Sequence, residues 1–185
     1  MPSIKDHIVG TVFQIGIVGE SIESCVADQV RTLNIGPWYT VERFIMPLQI
    51  YRGVETPGLH VDVAFSFLGD MMYEIVVQKD AGPSVYRDTI DERGYGLHHL
   101  AYFTHDFDTE VERLKAQGYE AAFEVKTGPD LGNKRVTYMD TRVPLGVMLE
   151  VCEYSEQVLA LFAKVQEKCR AWDGTHPIRR ISDLA

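Results

Sequence analysis

Gly94-Tyr95-Gly96-Leu97-His98-His99-Leu100-Ala101-Tyr102-Phe103-Thr104 is the stretch whose reading decides the fold. Two glycines lead into a run that is apolar on both sides after the paired histidines, the pattern of a short strand covered on both faces. Successive strand side chains point to opposite faces, so only one of His98 and His99 is expected to face a given interior. An imidazole projecting from such a strand is a good metal ligand. It is equally a common satisfied core residue, and the stretch alone leaves both readings open.

The segments on either side repeat one order. Residues 12–18 read as a strand broken only by Gln14. Ser21 is placed to cap a helix that carries Ile22, Val26, Val30 and Leu33 at helical spacing, and Gly36-Pro37 ends it. Residues 38–45 read as a second strand and 46–58 as a long loop. Residues 59–68 and 71–78 form two more strands around the Gly69-Asp70 turn. A polar connection over 79–94, with a helical turn near 86–91, leads to the strand at 97–103. Asp106 then caps a helix bearing Phe107, Val111 and Leu114, closed by Gly118. Strands follow at 119–126, 134–140 and 146–152, with a Gly/Pro/Asn turn at 127–133. Ser155 caps a last helix with Val158, Leu161, Phe162, Val165, Cys169 and Trp172 on one stripe, and the tail from Asp173 reads as irregular.

Laying Gln14 on His99 aligns Gln14-Ile15-Gly16-Ile17-Val18 with His99-Leu100-Ala101-Tyr102-Phe103. It also brings the helix-ending Gly36 and Gly118 within three positions of one another. The chain therefore reads as two copies of a βαβββ unit. The expected fold class is α+β: two βαβββ modules plus a C-terminal helix. Residues 1–185 are expected to form a single domain, with module one at about 10–80, module two at about 95–153 and the last helix at about 155–173.

The duplication turns one histidine into a constellation. Gln14 and His99 occupy equivalent positions in the first strands. Glu74 and Glu150 do so in the last strands, each embedded in apolar residues. A carboxylate in an apolar strand is costly to bury unless it is paired or bound to a metal. Two at matched positions, beside one amide and one imidazole, point to a divalent cation with room left for water or substrate. Taken singly, Gln14 reads more readily as a satisfied core amide, and either glutamate as a solvated edge residue. Met72, Val76, Met148 and Cys152 share the glutamates' faces, as pocket lining or as ordinary sheet core.

Composition narrows the partners. The 185 residues are 45% hydrophobic and 24% charged, ordinary globular values. A net charge of −9 disfavours nucleic acid and anionic membrane, and Arg179-Arg180 is too small a basic spot to reverse that. No apolar run approaches the ~18 residues needed to span a bilayer. Cys25, Cys152 and Cys169 are odd in number and far apart, which suits free thiols in a reducing compartment. With no basic-plus-apolar leader at the N-terminus, the expected location is the cytoplasm.

Phe13-Gln14-Ile15-Gly16-Ile17-Val18, Leu68-Gly69-Asp70 with Glu74, Gly96-Leu97-His98-His99-Leu100-Ala101-Tyr102 and Leu145-Gly146-Val147-Met148-Leu149-Glu150 together resemble the vicinal oxygen chelate superfamily, which includes glyoxalase I, methylmalonyl-CoA epimerase and the extradiol dioxygenases. The resemblance spans roughly residues 12–153. It implies two paired βαβββ modules forming one cupped mixed sheet around a central cleft, with a metal held there by Gln14, Glu74, His99 and Glu150, and with His99 rather than His98 as the ligand because His99 aligns with Gln14. His98 is expected to point away, as packing or interface. A Gln/Glu/His/Glu set looks like glyoxalase I and is close to the epimerase. It differs from the two-histidine, one-carboxylate Fe(II) set of the dioxygenases.

The resemblance therefore implies a divalent metal (Zn, Ni, Co or Mn) and an isomerase, epimerase or lyase acting on an enolisable carbonyl through a metal-stabilised enolate. Glu150, and after it Glu74, are the expected proton-moving carboxylates. His60, Tyr138 and His105 are further candidates for a base, each more simply read as strand residue, core and solvated turn. The 46–58 loop, with Tyr51-Arg52, is a candidate specificity wall. The expected partners are a small-molecule substrate and a second copy of the chain, since resembling proteins are often dimers, and the stripe ending at Trp172 is a candidate contact. Two alternatives stand beside this reading: a non-catalytic drug-binding protein of the same fold, and a ring-cleaving Fe(II) dioxygenase with a second histidine ligand such as His60.

Overall fold

The computed structural model describes residues 9–184. β1 (Gln14–Val18) leads into α1 (Ile22–Leu33), where the Ser21 hydroxyl accepts the Ser24 N–H and Asn34 closes the helix in the left-handed conformation. β2 (Trp38–Val41), β3 (Leu48–Tyr51), β4 (Val54–Glu55), β5 (Val61–Leu68) and β6 (Met71–Gln78) follow. The helical turn expected near 86–91 is a nine-residue helix, α2 (Val85–Arg93), capped by Ser84. The second half runs β7 (Gly96–Thr104), α3 (Phe107–Ala116), β8 (Ala121–Lys126), β9 (Arg135–Met139), the short α4 (Arg142–Leu145) and β10 (Met148–Glu153). α5 (Glu156–Arg170) and β11 (Ile178–Arg180) complete it. The Asp106 side chain makes no capping bond to α3; its N–H instead donates to the Thr104 hydroxyl.

Among the described residues the strands form one mixed sheet in the order β11-β2-β5-β6-β1-β7-β10-β9-β8-β3-β4. β1 and β7 pair antiparallel at its centre. On one side β6 runs parallel to β1, with Gln14 opposite Met72 and Gly16 opposite Glu74. On the other side β10 runs parallel to β7, with His99 opposite Met148 and Ala101 opposite Glu150. The two halves thus share one register, and the pairings Gln14 with His99 and Glu74 with Glu150 are true structural equivalences. The duplicated α+β architecture with its added C-terminal helix is as expected.

Three segments differ from expectation. The second strand stops at Val41, so residues 42–47 leave the sheet. Residues 48–55 are a β-hairpin rather than a loop, and β3 pairs with β8 at the far edge of the other half. Its turn holds Arg52 and Gly53 at φ +47° and +79°, the two left-handed positions of a type I′ hairpin. The tail is ordered too: β11 pairs parallel with β2. Each half therefore has its outer strand covered, β2 by the tail and β8 by the hairpin, which removes two long unpaired edges.

The hairpin also shows that the sheet curls. From β2 to β3 the strand order crosses eight inter-strand spacings, about 38 Å if flat. The chain makes that connection from Val41 to Leu48, which reaches at most about 25 Å. Only a cupped sheet satisfies both. The mouth is closed further by α5, whose Phe162 packs on Phe13 and Phe65 with ring centroids 6.4 and 5.6 Å apart. Trp172, just past α5, lies against Gly36, where a Cβ would meet its ring at 2.6 Å; this end of the stripe is intramolecular packing. None of the described helices is long and apolar enough to cross a membrane.

Candidate metal centre

The centre of the sheet brings the four sequence-matched side chains together. His99 is fully buried, and Gln14, Glu74 and Glu150 are each less than 10% exposed. His99 Nε2 lies 3.1 Å from Glu74 Oε2 and 3.1 Å from Glu150 Oε2. Gln14 Nε2 donates to Glu74 Oε2 at 2.9 Å and sits 3.4 Å from His99 Nε2. Parallel pairing within each half sets each glutamate beside the first strand, and the central antiparallel pair sets the two halves face to face.

Gly16 is the residue the sequence reading passed over. It stands directly opposite His99 across the β1–β7 pair. A Cβ there would fall 1.8 Å from His99 Cε1 and 2.1 Å from Nε2. The imidazole occupies the space a side chain would take, so the middle residue of Gln14-Ile15-Gly16 is as constrained as the polar one. The available signal was a glycine inside a strand, which marks close approach of another group.

His98 corrects a second expectation. The β1–β7 register passes from Gly16–His99 to Ile17–Leu97, leaving His98 without a partner. This β-bulge cancels the alternation of the pleat, so both imidazoles turn inward with their Nδ1 atoms 2.9 Å apart. His98 Nε2 lies 3.1 Å from the Val85 carbonyl oxygen at the start of α2. A carbonyl only accepts, so Nε2 carries the proton and donates. Burial, together with the charge of neighbouring His99, pushes His98 well below the usual histidine range and keeps it neutral. Its Nδ1 is then an acceptor, and the His99 Nδ1–H donates to it. Partner chemistry thereby assigns the tautomer and turns His99 Nε2 toward the carboxylates, the arrangement in which a supporting acceptor orients a ligating imidazole.

The electrostatics of the cluster are unbalanced. Burial alone would lower the basicity of His99, but the negative charges of Glu150 and Glu74, each with an oxygen 3.1 Å from Nε2, outweigh it and raise its pKa to about 10. Burial raises Glu74, against the opposing pull of His99. Two carboxylates around one imidazole leave excess negative charge in a buried site. Although Glu150 Oε2 is close to Nε2, no N–H is aligned with it, and it is a buried oxygen without a hydrogen-bond donor. The orphaned oxygen and the excess negative charge both suit a divalent cation. The Gln14 amide adds a neutral donor, since a half-turn of its terminal torsion exchanges nitrogen for oxygen.

The other candidates fall outside the cluster or are occupied. His60 is exposed, its backbone N–H bound to Asp80. His105 is exposed and packs against Tyr154, the two rings tilted and with centroids 4.1 Å apart. Tyr138 packs 5.3 Å from the His99 ring, but its hydroxyl pairs with that of Tyr86 at 3.0 Å, and burial pushes both phenols well above their usual range. Tyr51 and Arg52 form no specificity wall. Tyr51 donates to Asp88, while Arg52 bridges Asp88, Asp140 and Glu120, clamping α2 to the second half. Met72, Val76 and Met148 are sheet core, while Cys152 lines a small chamber of about 80 Å³ with Gln14, Glu74 and Glu150.

A duplicated βαβββ cup with a buried carboxylate–imidazole–carboxylate centre defines a narrow class of proteins, and sequence comparison agrees with it. The profile of the Glyoxalase/Bleomycin resistance protein/Dioxygenase superfamily matches residues 13–138, and the chain belongs to that superfamily. The match stops before β10, so the place of Glu150 rests on the geometry described above. No curated protein matches the sequence. Among solved structures, a methylmalonyl-CoA epimerase from Mycobacterium tuberculosis is similar with TM-score 0.56 and 19% identity, over 83% of this chain and 93% of that one. A hypothetical protein from Bacillus halodurans C-125 is similar with TM-score 0.53 and 22% identity, over 79% and 95%. A variant methylmalonyl-CoA epimerase from Streptomyces coelicolor, in complex with 2-nitronate-propionyl-CoA, is similar with TM-score 0.52 and 17% identity, over 80% and 99%. At such identities these likenesses concern the fold.

Proposed function

We propose that the protein is a divalent-metal-dependent isomerase, epimerase or lyase that moves a proton at a carbon next to a carbonyl group. Gln14, Glu74, His99 and Glu150 are the proposed metal ligands. The observation that carries the reading is the buried Glu74–His99–Glu150 cluster with its orphaned Glu150 oxygen. Held by these residues, a cation would supply Lewis acidity toward a substrate carbonyl oxygen. His98 holds its partner in place by fixing the tautomer of His99, while Gln14, which donates to Glu74 in the metal-free site, would turn its amide oxygen to the cation. Glu150, without an aligned donor of its own, is the carboxylate freer to accept and return the substrate proton. Glu74, tethered by Gln14, is the second choice.

The donor set argues against oxygen chemistry. A ring-cleaving Fe(II) centre uses two histidines and one carboxylate. Here both nitrogens of His98 are engaged, by Val85 and by His99, and His60 is exposed. The non-catalytic binding alternative predicts a pocket indifferent to Glu150, whereas this reading requires it.

Proton transfer is tested by incubating the Zn-, Ni-, Co- or Mn-reconstituted protein in deuterium oxide with a panel of enolisable carbonyl compounds and following the α-C–H signal by NMR. Metal-dependent exchange that is lost in Glu150→Gln is expected. Exchange indifferent to metal, or absent across the panel, contradicts the assignment. The positioning role of His98 has its own readout, metal affinity. His98→Phe, which keeps the ring volume but offers His99 no acceptor, is expected to weaken binding about 10- to 100-fold. His98→Gln, which restores an acceptor, is expected to recover part of that loss, as measured by competition with a chelating dye.

A further inference from the structure

Resting on that reading, we infer that the substrate is a small carbonyl compound with an uncharged apolar tail, of the size of a phenyl ring or short branched chain, and is not carried on a nucleotide handle. The small chamber above the cluster has a larger neighbour. Four of its wall residues, Phe44, Phe65, Leu131 and Phe162, also line a second and larger cavity of about 460 Å³. The two cavities adjoin across these four side chains, the inner one reaching the polar cluster and the outer one mostly apolar. Val41 and Leu161 extend the apolar lining outward.

The dimensions divide the ligand. About 80 Å³ at the floor has room for a few atoms, enough for a chelating pair of oxygens and the carbon between them. About 460 Å³ beyond it lies within the range of small-molecule sites, which are mostly apolar with few polar groups. Charge then limits what the tail carries. At the mouth Arg43 is accompanied by Glu42. In the inner chamber Lys134 stands 4.0 Å from Glu153, which also pairs with Arg135. A polyphosphate tail would meet these carboxylates without a cluster of cations to receive it. An aromatic or branched aliphatic group would meet three phenylalanine rings and two leucines. The segment 42–45, which leaves the sheet after β2, supplies the outer wall, and α5 supplies the facing one.

The test uses the zinc-reconstituted protein and two uncharged chelators that share one head: acetohydroxamate and 3-phenylpropanohydroxamate. The phenyl-bearing probe is expected to bind about 10- to 100-fold more tightly, the gain from burying one aromatic group. Leu161→Asp, at the partly exposed wall, is expected to erase that gain and leave acetohydroxamate binding unchanged. Equal binding of the two probes, or displacement of the phenyl probe by micromolar coenzyme A, overturns the inference while leaving the metal centre standing. If neither hydroxamate binds, the metal reading falls instead. The apolar chamber is then tested on the metal-free protein with 4-phenyl-2-butanone by NMR line broadening, where binding lost in Leu161→Asp supports the tail and absence of binding refutes it.

Discussion

Gly16→Ala is expected to abolish metal uptake and to lower the melting temperature by about 2–12 °C, although it adds one methyl group. The new Cβ would lie 1.8 Å from His99 Cε1, far inside any permitted contact. The imidazole is fully buried and is fixed by His98 on one side and the carboxylates on the other, so no free rotamer accommodates it. Either the ring tilts away from the glutamates or β1 and β7 separate. Overpacking of this kind costs about 1–3 kcal/mol, and about 2–4 °C accompanies each kcal/mol in a chain of this size. Differential scanning fluorimetry and metal titration measure both effects. A Gly16→Ala protein that binds metal like the wild type would mean that His99 is not held where the cluster places it.

Glu150→Gln separates a metal centre from a structural ion cluster by the sign of its effect. If the cluster existed only to hold the core together, removing one charge from a buried pair would destabilise the protein by about 3–5 kcal/mol. If it exists to receive a cation, the metal-free site carries excess negative charge, and the nearly isosteric amide relieves it. The expected result is a metal-free variant at least as stable as the metal-free wild type. The stabilisation that added metal confers on the wild type, which grows with the ratio of metal concentration to Kd, is expected to vanish. Metal affinity is expected to fall more than ~100-fold, beyond the loss of a supporting hydrogen bond. Marked destabilisation of the metal-free variant, with metal binding intact, would reverse the assignment.

Much of this was legible in the sequence because the duplication repeats its exceptions as well as its pattern. Glu74 and Glu150 stand out in otherwise apolar strands at the same repeat position, and the shared register of β1–β6 and β7–β10 is the structural form of that match. What stayed hidden depends on partners distant in the chain. The bulge at His98 exists only in relation to β1, more than eighty residues earlier, so the local alternation rule sent that ring the wrong way. The β3–β4 hairpin turns on Arg52-Gly53, without the Asn or Asp that usually announces a type I′ turn, and its sheet partner β8 lies some seventy residues on. The strand at Ile178–Arg180 is three residues long and exists because β2 needed an edge partner. Gly16 was in plain view, but its meaning lies in a ring from the other half.

The most direct test of the central claim is the crystal structure of the cobalt- or zinc-reconstituted protein, with anomalous data collected at the metal's absorption edge. The account predicts one strong peak at full occupancy, about 2.0–2.2 Å from His99 Nε2 and from an oxygen of each of Glu74 and Glu150, with the Gln14 amide oxygen turned toward it. A reconstituted protein with no peak there, and with His99 Nε2 still lying between the two carboxylates, would make the cluster a self-contained ion triad and remove the basis for the proposed chemistry.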